Sequence, residues 1–175
     1  MKDIMARAAR IKLVVFDVDG VLTDGGLFMD KDGHEYKMFH SRDGHGMKML
    51  LNTGVEIAII TGRSSTVVEH RMSGLGIKYV YQGQADKRVA FKQLLDEMQL
   101  GADQVAYVGD DVVDLPVMRK VGLAVAVQDA HELAKKHAHW QTPSGGGRGA
   151  ARDLCELIME AQGTLAGQMA NYLDG

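Results

Sequence analysis

A single cysteine, Cys155, is the whole thiol content of this 175-residue chain, which excludes a disulfide framework within it. Cys155 lies among Leu154, Leu157 and Ile158 at helical spacing, so the expectation is a buried structural thiol rather than a nucleophile. Basic charge is not in excess either. The net charge is −3, without the cationic balance of a nucleic-acid-binding surface, although a local Arg/Lys cluster could still draw a small anion. No apolar run approaches the ~18 residues needed to cross a bilayer, and Met1 to Lys12 lacks the long apolar core of a secretory signal. A cytoplasmic protein with no nucleic-acid or membrane partner is therefore expected. No internal repeat is found. At 46% hydrophobic content the chain can form one compact domain that buries roughly 70% of its unfolded surface. The expected division is a single domain over residues 1–163 and a flexible C-terminal tail over 164–175.

What is present is an alternation of short β-rich runs with helical segments. Residues 11–16, 55–60, 79–81, 104–108 and 123–127 read as strands. Residues 46–52, 65–75, 87–99, 115–121 and 150–161 carry the apolar spacing of helices. This order predicts an α/β fold: a doubly wound, Rossmann-like, mainly parallel sheet covered on both faces. The alternation breaks after the first strand, where Leu27-Phe28-Met29 and Tyr36-Lys37-Met38-Phe39 flank Asp30-Lys31-Asp32-Gly33, the signature of an inserted β-hairpin. Ser144-Gly145-Gly146-Gly147-Arg148-Gly149 precedes the last of these helices and reads either as a linker or as a functional loop.

In such sheets ligands gather beyond the carboxyl ends of the strands, and four of the strand ends here carry polar chemistry. Asp17-Val18-Asp19-Gly20 follows the first, Thr61-Gly62-Arg63 the second, Gln84-Ala85-Asp86-Lys87 the third, and Gly109-Asp110-Asp111 with Asp114 the fourth. Singly, Thr61 or Asp114 would pass for a helix cap and Lys87 for a solvated residue. Jointly they suit phosphoryl transfer. A phosphate monoester is a dianion and a carboxylate nucleophile adds repulsion, so a hard cation such as Mg2+ and a fixed ammonium must offset the charge. Asp17, Asp110 and the carbonyl of Asp19 can supply metal oxygens, and Lys87 the ammonium. Thr61 and nearby backbone N–H groups can hold phosphate oxygens. Asp17 would attack phosphorus, and Asp19 would protonate the departing alkoxide and then activate water. Asp111 and Asp114 suit orientation of the metal shell better than direct ligation.

This ordered set resembles the haloacid dehalogenase superfamily of phosphatases, whose motifs are Asp-x-Asp, Thr or Ser, Lys, and a late acidic run. The resemblance implies the fold, Mg2+ and aspartyl-phosphate chemistry. Larger members carry a cap domain between the first two motifs or between the lysine and the late acids. Neither gap has room here, so no cap domain is expected, and a neighbouring subunit or the Gly-rich segment should help close the site. Tyr36 to Gly46, Tyr81-Gln82-Gly83, Pro116-Val117-Met118 and Gly146 to Ala150 further resemble the 3-deoxy-D-manno-octulosonate 8-phosphate phosphatase family within it. That likeness implies a small-molecule sugar phosphate as substrate and a homotetramer whose C-terminal tails reach neighbouring sites. It also implies substrate contacts from Asp19, His40, Ser41, Arg42, Asp43, Gly44, Lys48, Arg63, Arg71 and Lys87. His40 stands where that family commonly has Asn, and Lys48 where it has Arg. A nine-carbon sugar acid phosphate as substrate, a receiver domain, and a silent oligomerisation module are the alternatives; the intact Asp17, Asp19, Lys87 and Asp110 count against the last.

Overall fold

Leu13–Phe16 are all buried, which a strand can achieve only between two neighbours with both faces of its sheet covered. In the computed structural model, which describes residues 1–173 apart from the side chain at 171, this strand, β1, is central. It pairs in parallel with β4 (Glu56–Ile60) on one side and β6 (Val105–Gly109) on the other. Outside β4 lies β5 (Tyr79–Tyr81), and beyond β6 lie β7 (Leu123–Ala126) and β8 (Trp140–Gln141), giving a six-stranded parallel sheet in the order β5-β4-β1-β6-β7-β8. The chain runs outward one way through β1, β4 and β5, then returns and runs the other way through β6, β7 and β8. Right-handed crossovers then place the connecting helices on opposite faces, and the reversal leaves a crevice beyond the carboxyl ends of β1 and β6.

Helices α1 (Lys2–Ala8), α2 (Ser41–Leu51) and α7 (Ala150–Ala161) pack together, while α4 (Lys87–Met98) packs with the short α5 (Leu115–Met118); α3 (Thr66–Leu75) and α6 (Glu132–His137) complete the crossovers. The expected α/β architecture is thus present, with differences of detail. α2 begins at Ser41, five residues before the expected 46, because its first turn is polar and hid the apolar period. α1, α6 and the two-residue β8 were not foreseen; each is too short to show a hydrophobic period. The hairpin forms between β2 (Phe28–Met29) and β3 (Glu35–Tyr36). Among the described residues no further domain interrupts the chain, and no helix is long and apolar enough to cross a membrane.

The Gly-rich stretch is no linker. The Gly147 N–H donates to the Val21 carbonyl at 2.9 Å and the Gly146 N–H to Asp129 Oδ1 at 2.8 Å. A Cβ added to Gly146 would sit 1.8 Å from the Gly20 carbonyl oxygen, so only glycine permits this approach. The stretch thereby buttresses the loop after β1 from within the same chain. It leads into α7, whose Leu154, Cys155 and Ile158 are fully buried in the core. Burial pushes the Cys155 thiol far up, as an inert packing residue requires. Within the expected tail, Leu165–Leu173 form α8, which sets Leu165 and Met169 against the core; residues 174–175 lie outside the described residues.

Candidate active site

Strand β1 ends by delivering Asp17 into the crevice. Its Oδ1 accepts the Val18 N–H at 2.6 Å and its Oδ2 accepts from Lys87 Nζ at 2.5 Å. Lys87 arrives from the first position of α4, a helix whose start is set by Asp86, whose side chain accepts the Arg88 N–H. The same ammonium donates to Asp114 Oδ1 at 2.7 Å. Asp114 is fully buried and accepts three further hydrogen bonds, from the Tyr107 hydroxyl at 2.7 Å and from the N–H groups of Asp110 at 2.9 Å and Asp111 at 3.2 Å. Those donors occupy its oxygens, so Asp114 fixes the ammonium and the late acidic turn rather than offering a lone pair to a ligand. Burial opposes charge on Lys87, but Asp114 and Asp17 outweigh it and hold its proton more tightly than usual.

Carboxylate oxygens of Asp17, Asp110 and Asp114 all lie within 4.8 Å of one another. Gly20, at φ +86°, turns the chain directly beneath them: a Cβ there would meet Asp110 Oδ2 at 2.1 Å. The Asp19 carbonyl, beside that turn, accepts no hydrogen bond among the described residues. With Asp114 committed, Asp17, Asp110 and the Asp19 carbonyl form a set of hard oxygen donors that fits Mg2+. The electrostatics agree. Burial and the Asp114 charge raise Asp17 above the ordinary carboxylate range despite Lys87, and burial with Asp114, Asp17 and Asp111 pushes Asp110 up to about 7.

A carboxyl that binds its proton more tightly in the folded chain destabilises that chain as pH rises, because the folded state then holds more protons than the unfolded one between the two pKa values. Relative to Asp110→Asn, the wild type is expected to lose melting temperature from about pH 4 to about pH 7. Adding Mg2+ at the upper end should restore it, and should restore the variant less. Parallel melting curves with and without Mg2+ would remove this cluster as a cation site.

The cleft, of about 290 Å³, is lined by Asp17, Asp19, Thr61, Gly62, Arg63, Gln84, Lys87, Asp110 and Asp111. The strand-end residues singled out in the sequence therefore converge. Arg63 lies with its Nε 3.8 Å from Asp19 Oδ2. Sequence reasoning missed two neighbours, Lys37 and Glu35 of the hairpin. Lys37 Nζ donates to Asp19 Oδ1 and to Glu35 Oε1, and Arg63 Nη2 reaches the same Glu35 oxygen at 2.9 Å. Burial raises the Glu35 carboxyl, but its bonds to Lys37 and Arg63 prevail and hold it below its ordinary value.

The stretch expected to meet the sugar is placed elsewhere in the chain. Asp43 is buried, with its two oxygens accepting the N–H groups of Gly149 at 3.2 Å and Arg152 at 2.9 Å; it caps the start of α7 instead of facing the cleft. His40, Gly44 and Arg71 line a separate small cavity with Phe39 and Met47. There Arg71 sits 5.8 Å from the Phe39 ring centroid, and His40 Nδ1 is buried without a partner among the described residues. Ser41, Arg42 and Lys48 are exposed on α2 and line neither cavity.

Known proteins share this fold. The haloacid dehalogenase-like hydrolase family matches residues 73–152. The 3-deoxy-D-manno-octulosonate 8-phosphate phosphatase of Escherichia coli is 50% identical over 163 residues, 93% of this chain and 87% of that protein. The chain belongs to this phosphatase family. It is accordingly a phosphoric monoester hydrolase of the haloacid dehalogenase type. Solved members superpose closely. The phosphatase from Yersinia pestis is 50% identical with a TM-score of 0.93, over 94% of this chain and 89% of that one. The phosphatase from Moraxella catarrhalis, crystallised with magnesium ion, phosphate ion and a KDO molecule, is 38% identical with a TM-score of 0.96, over 98% and 99% of the two chains.

Proposed function

We propose that this chain hydrolyses 3-deoxy-D-manno-octulosonate 8-phosphate to the free sugar acid and phosphate in the cytoplasm, as a step in lipopolysaccharide precursor synthesis. The observation that carries the mechanism is the Asp17 carboxylate, buried and ion-paired to Lys87 in one cleft with Asp19, Thr61 and Asp110. Asp17 attacks phosphorus, forming an aspartyl-phosphate as the sugar alkoxide leaves. Asp19 gives that alkoxide its proton and then takes one from the water that hydrolyses the intermediate. Lys87 and Thr61 hold phosphoryl oxygens. Asp17, Asp110 and the Asp19 carbonyl would hold Mg2+, which when bound offsets the charge that accumulates on the phosphoryl group. Arg63, which lines the cleft, would meet the sugar acid, whose carboxylate matches a guanidinium in two places.

The experiment is Mg2+-dependent phosphate release from 3-deoxy-D-manno-octulosonate 8-phosphate, measured beside a nine-carbon sugar acid phosphate and an aryl phosphate. A strong preference for the first is expected. Preference for the nine-carbon ester would move the substrate and keep the chemistry, and no release from any would overturn the reading.

The proposal includes a homotetramer. The hairpin leaves Leu27, Phe28, Met29, Tyr36 and Met38 between 52% and 70% exposed, an apolar face that suits burial against other copies. In such an assembly His40 to Gly44, Lys48, Arg71 and the segment 164–175 would serve the open cleft of a neighbouring copy. Sedimentation velocity is expected to show a tetramer, and a monomer at micromolar concentration would refute it.

A further inference from the structure

Lys37 is buried beside the cleft against Asp19, with no part in the steps above. Strand alternation through the hairpin sends Tyr36 and Met38 outward and Glu35 and Lys37 inward. The Lys37 side chain is only 2% exposed. Burying an ammonium on a flexible four-carbon stem is costly in both hydration and rotamer freedom, and here it is compensated at two points. Nζ donates to Asp19 Oδ1, and at 3.0 Å to Glu35 Oε1. Glu35 is itself held by Arg63 at 2.9 Å. An ammonium fixed in this way immobilises one oxygen of Asp19 and leaves Oδ2 on the side of Arg63.

We propose that Lys37, anchored by Glu35, is a positioning residue that aims the Asp19 carboxyl at the oxygen of the leaving group. The inference rests on Asp19 being the acid and base of the proposed mechanism. It gives the hairpin a second task besides association: its outward face meets other copies, and its inward edge sets the geometry of proton transfer.

A misaimed acid has a recognisable signature. The alkoxide leaving a sugar phosphate is strongly basic and needs a proton, whereas p-nitrophenolate leaves readily without one. The test therefore measures release of the leaving group in the first turnover, before intermediate hydrolysis contributes. The substrates are 3-deoxy-D-manno-octulosonate 8-phosphate and p-nitrophenyl phosphate, and the proteins are the wild type, Asp19→Asn, Lys37→Met, Lys37→Arg and Glu35→Gln. Asp19→Asn is the reference: it should slow release of the sugar by ~10²- to 10⁴-fold and release of the phenol far less. Lys37→Met should show the same selectivity at ~10- to 10²-fold, as displacement of a catalytic group by about 1 Å would produce, with KM for the sugar phosphate nearly unchanged. Lys37→Arg should recover part of the loss. Glu35→Gln, which leaves the fold's apolar core untouched, should give a smaller loss of the same kind and serves if Lys37→Met melts too low to assay.

Equal slowing of both substrates by Lys37→Met and Glu35→Gln, or a rise in KM alone, would overturn the positioning role while Asp19→Asn still shows the selectivity. If Asp19→Asn itself shows none, the acid assignment fails first and the role of Lys37 with it. The two failures are therefore distinguishable.

Discussion

Replacing Asp17 with Asn is expected to lower phosphate release by at least ~10⁴-fold, on the scale seen when a catalytic nucleophile is removed, while the chain stays folded. The amide cannot form the acyl-phosphate, so no neighbouring group can make good the loss. Stability should change little for three reasons. The amide oxygen still accepts the Val18 N–H, Lys87 keeps its bond to Asp114, and one negative charge leaves a crowded acidic cluster. Phosphate release assayed with Mg2+, alongside a melting curve, checks both halves. Turnover within about tenfold of the wild type would remove Asp17 as the nucleophile.

Lys87→Met should be the most damaging single change to the fold's polar interior. Its ammonium lies between Asp17 and Asp114, at 2.5 and 2.7 Å, with all three side chains buried. Removing the cation strands two buried carboxylates, a change that costs about 3–5 kcal/mol. For a chain of this size that corresponds to a melting temperature lower by roughly 6–20 °C. Adding Asp114→Asn to Lys87→Met should recover part of the loss, because the two sites share one ion pair. A drop of under about 2 °C in the single variant would show that the ammonium does not hold the site together. Phosphatase activity should be lost as well, since no other lysine reaches Asp17 among the described residues.

The two variants divide the cleft by cause. In the proposed mechanism Asp17 contributes chemistry at little structural expense, whereas Lys87 contributes both, because the same ammonium that would offset phosphate charge also neutralises buried acids. This also explains why Asp114, which does no chemistry in the proposed mechanism, is buried with every oxygen engaged.

Much of the site was legible in the residues. Asp17 with Asp19, Thr61 with Arg63, Lys87, and Asp110 follow four β-rich runs, and a parallel sheet brings all such positions to one edge whatever fills the connections. The strands themselves were legible because β1, β6 and β7 are buried on both faces and read as unbroken apolar runs. Asp43 has a structural engagement that the sequence did not show, for the complementary reason. It sits in a motif that looks made for ligand, yet its oxygens cap α7, whose start is more than a hundred residues away in the chain. No local pattern announces that contact. The Gly-rich segment read equally as a linker or a functional loop from composition, and is pressed against the loop after β1.

The fold class, the order of the chemical groups and the suitability for phosphoryl transfer follow from the chain alone, because they depend on periodicity and on which residues end each strand. That Lys37 and Glu35 face Asp19, that Asp114 is spent on Lys87 and backbone N–H groups, and that Asp43 caps α7 emerge from the folded arrangement. Each of these depends on how one element docks against another distant in the chain, and docking is set by the packing of whole surfaces rather than by the spacing of neighbours along the chain.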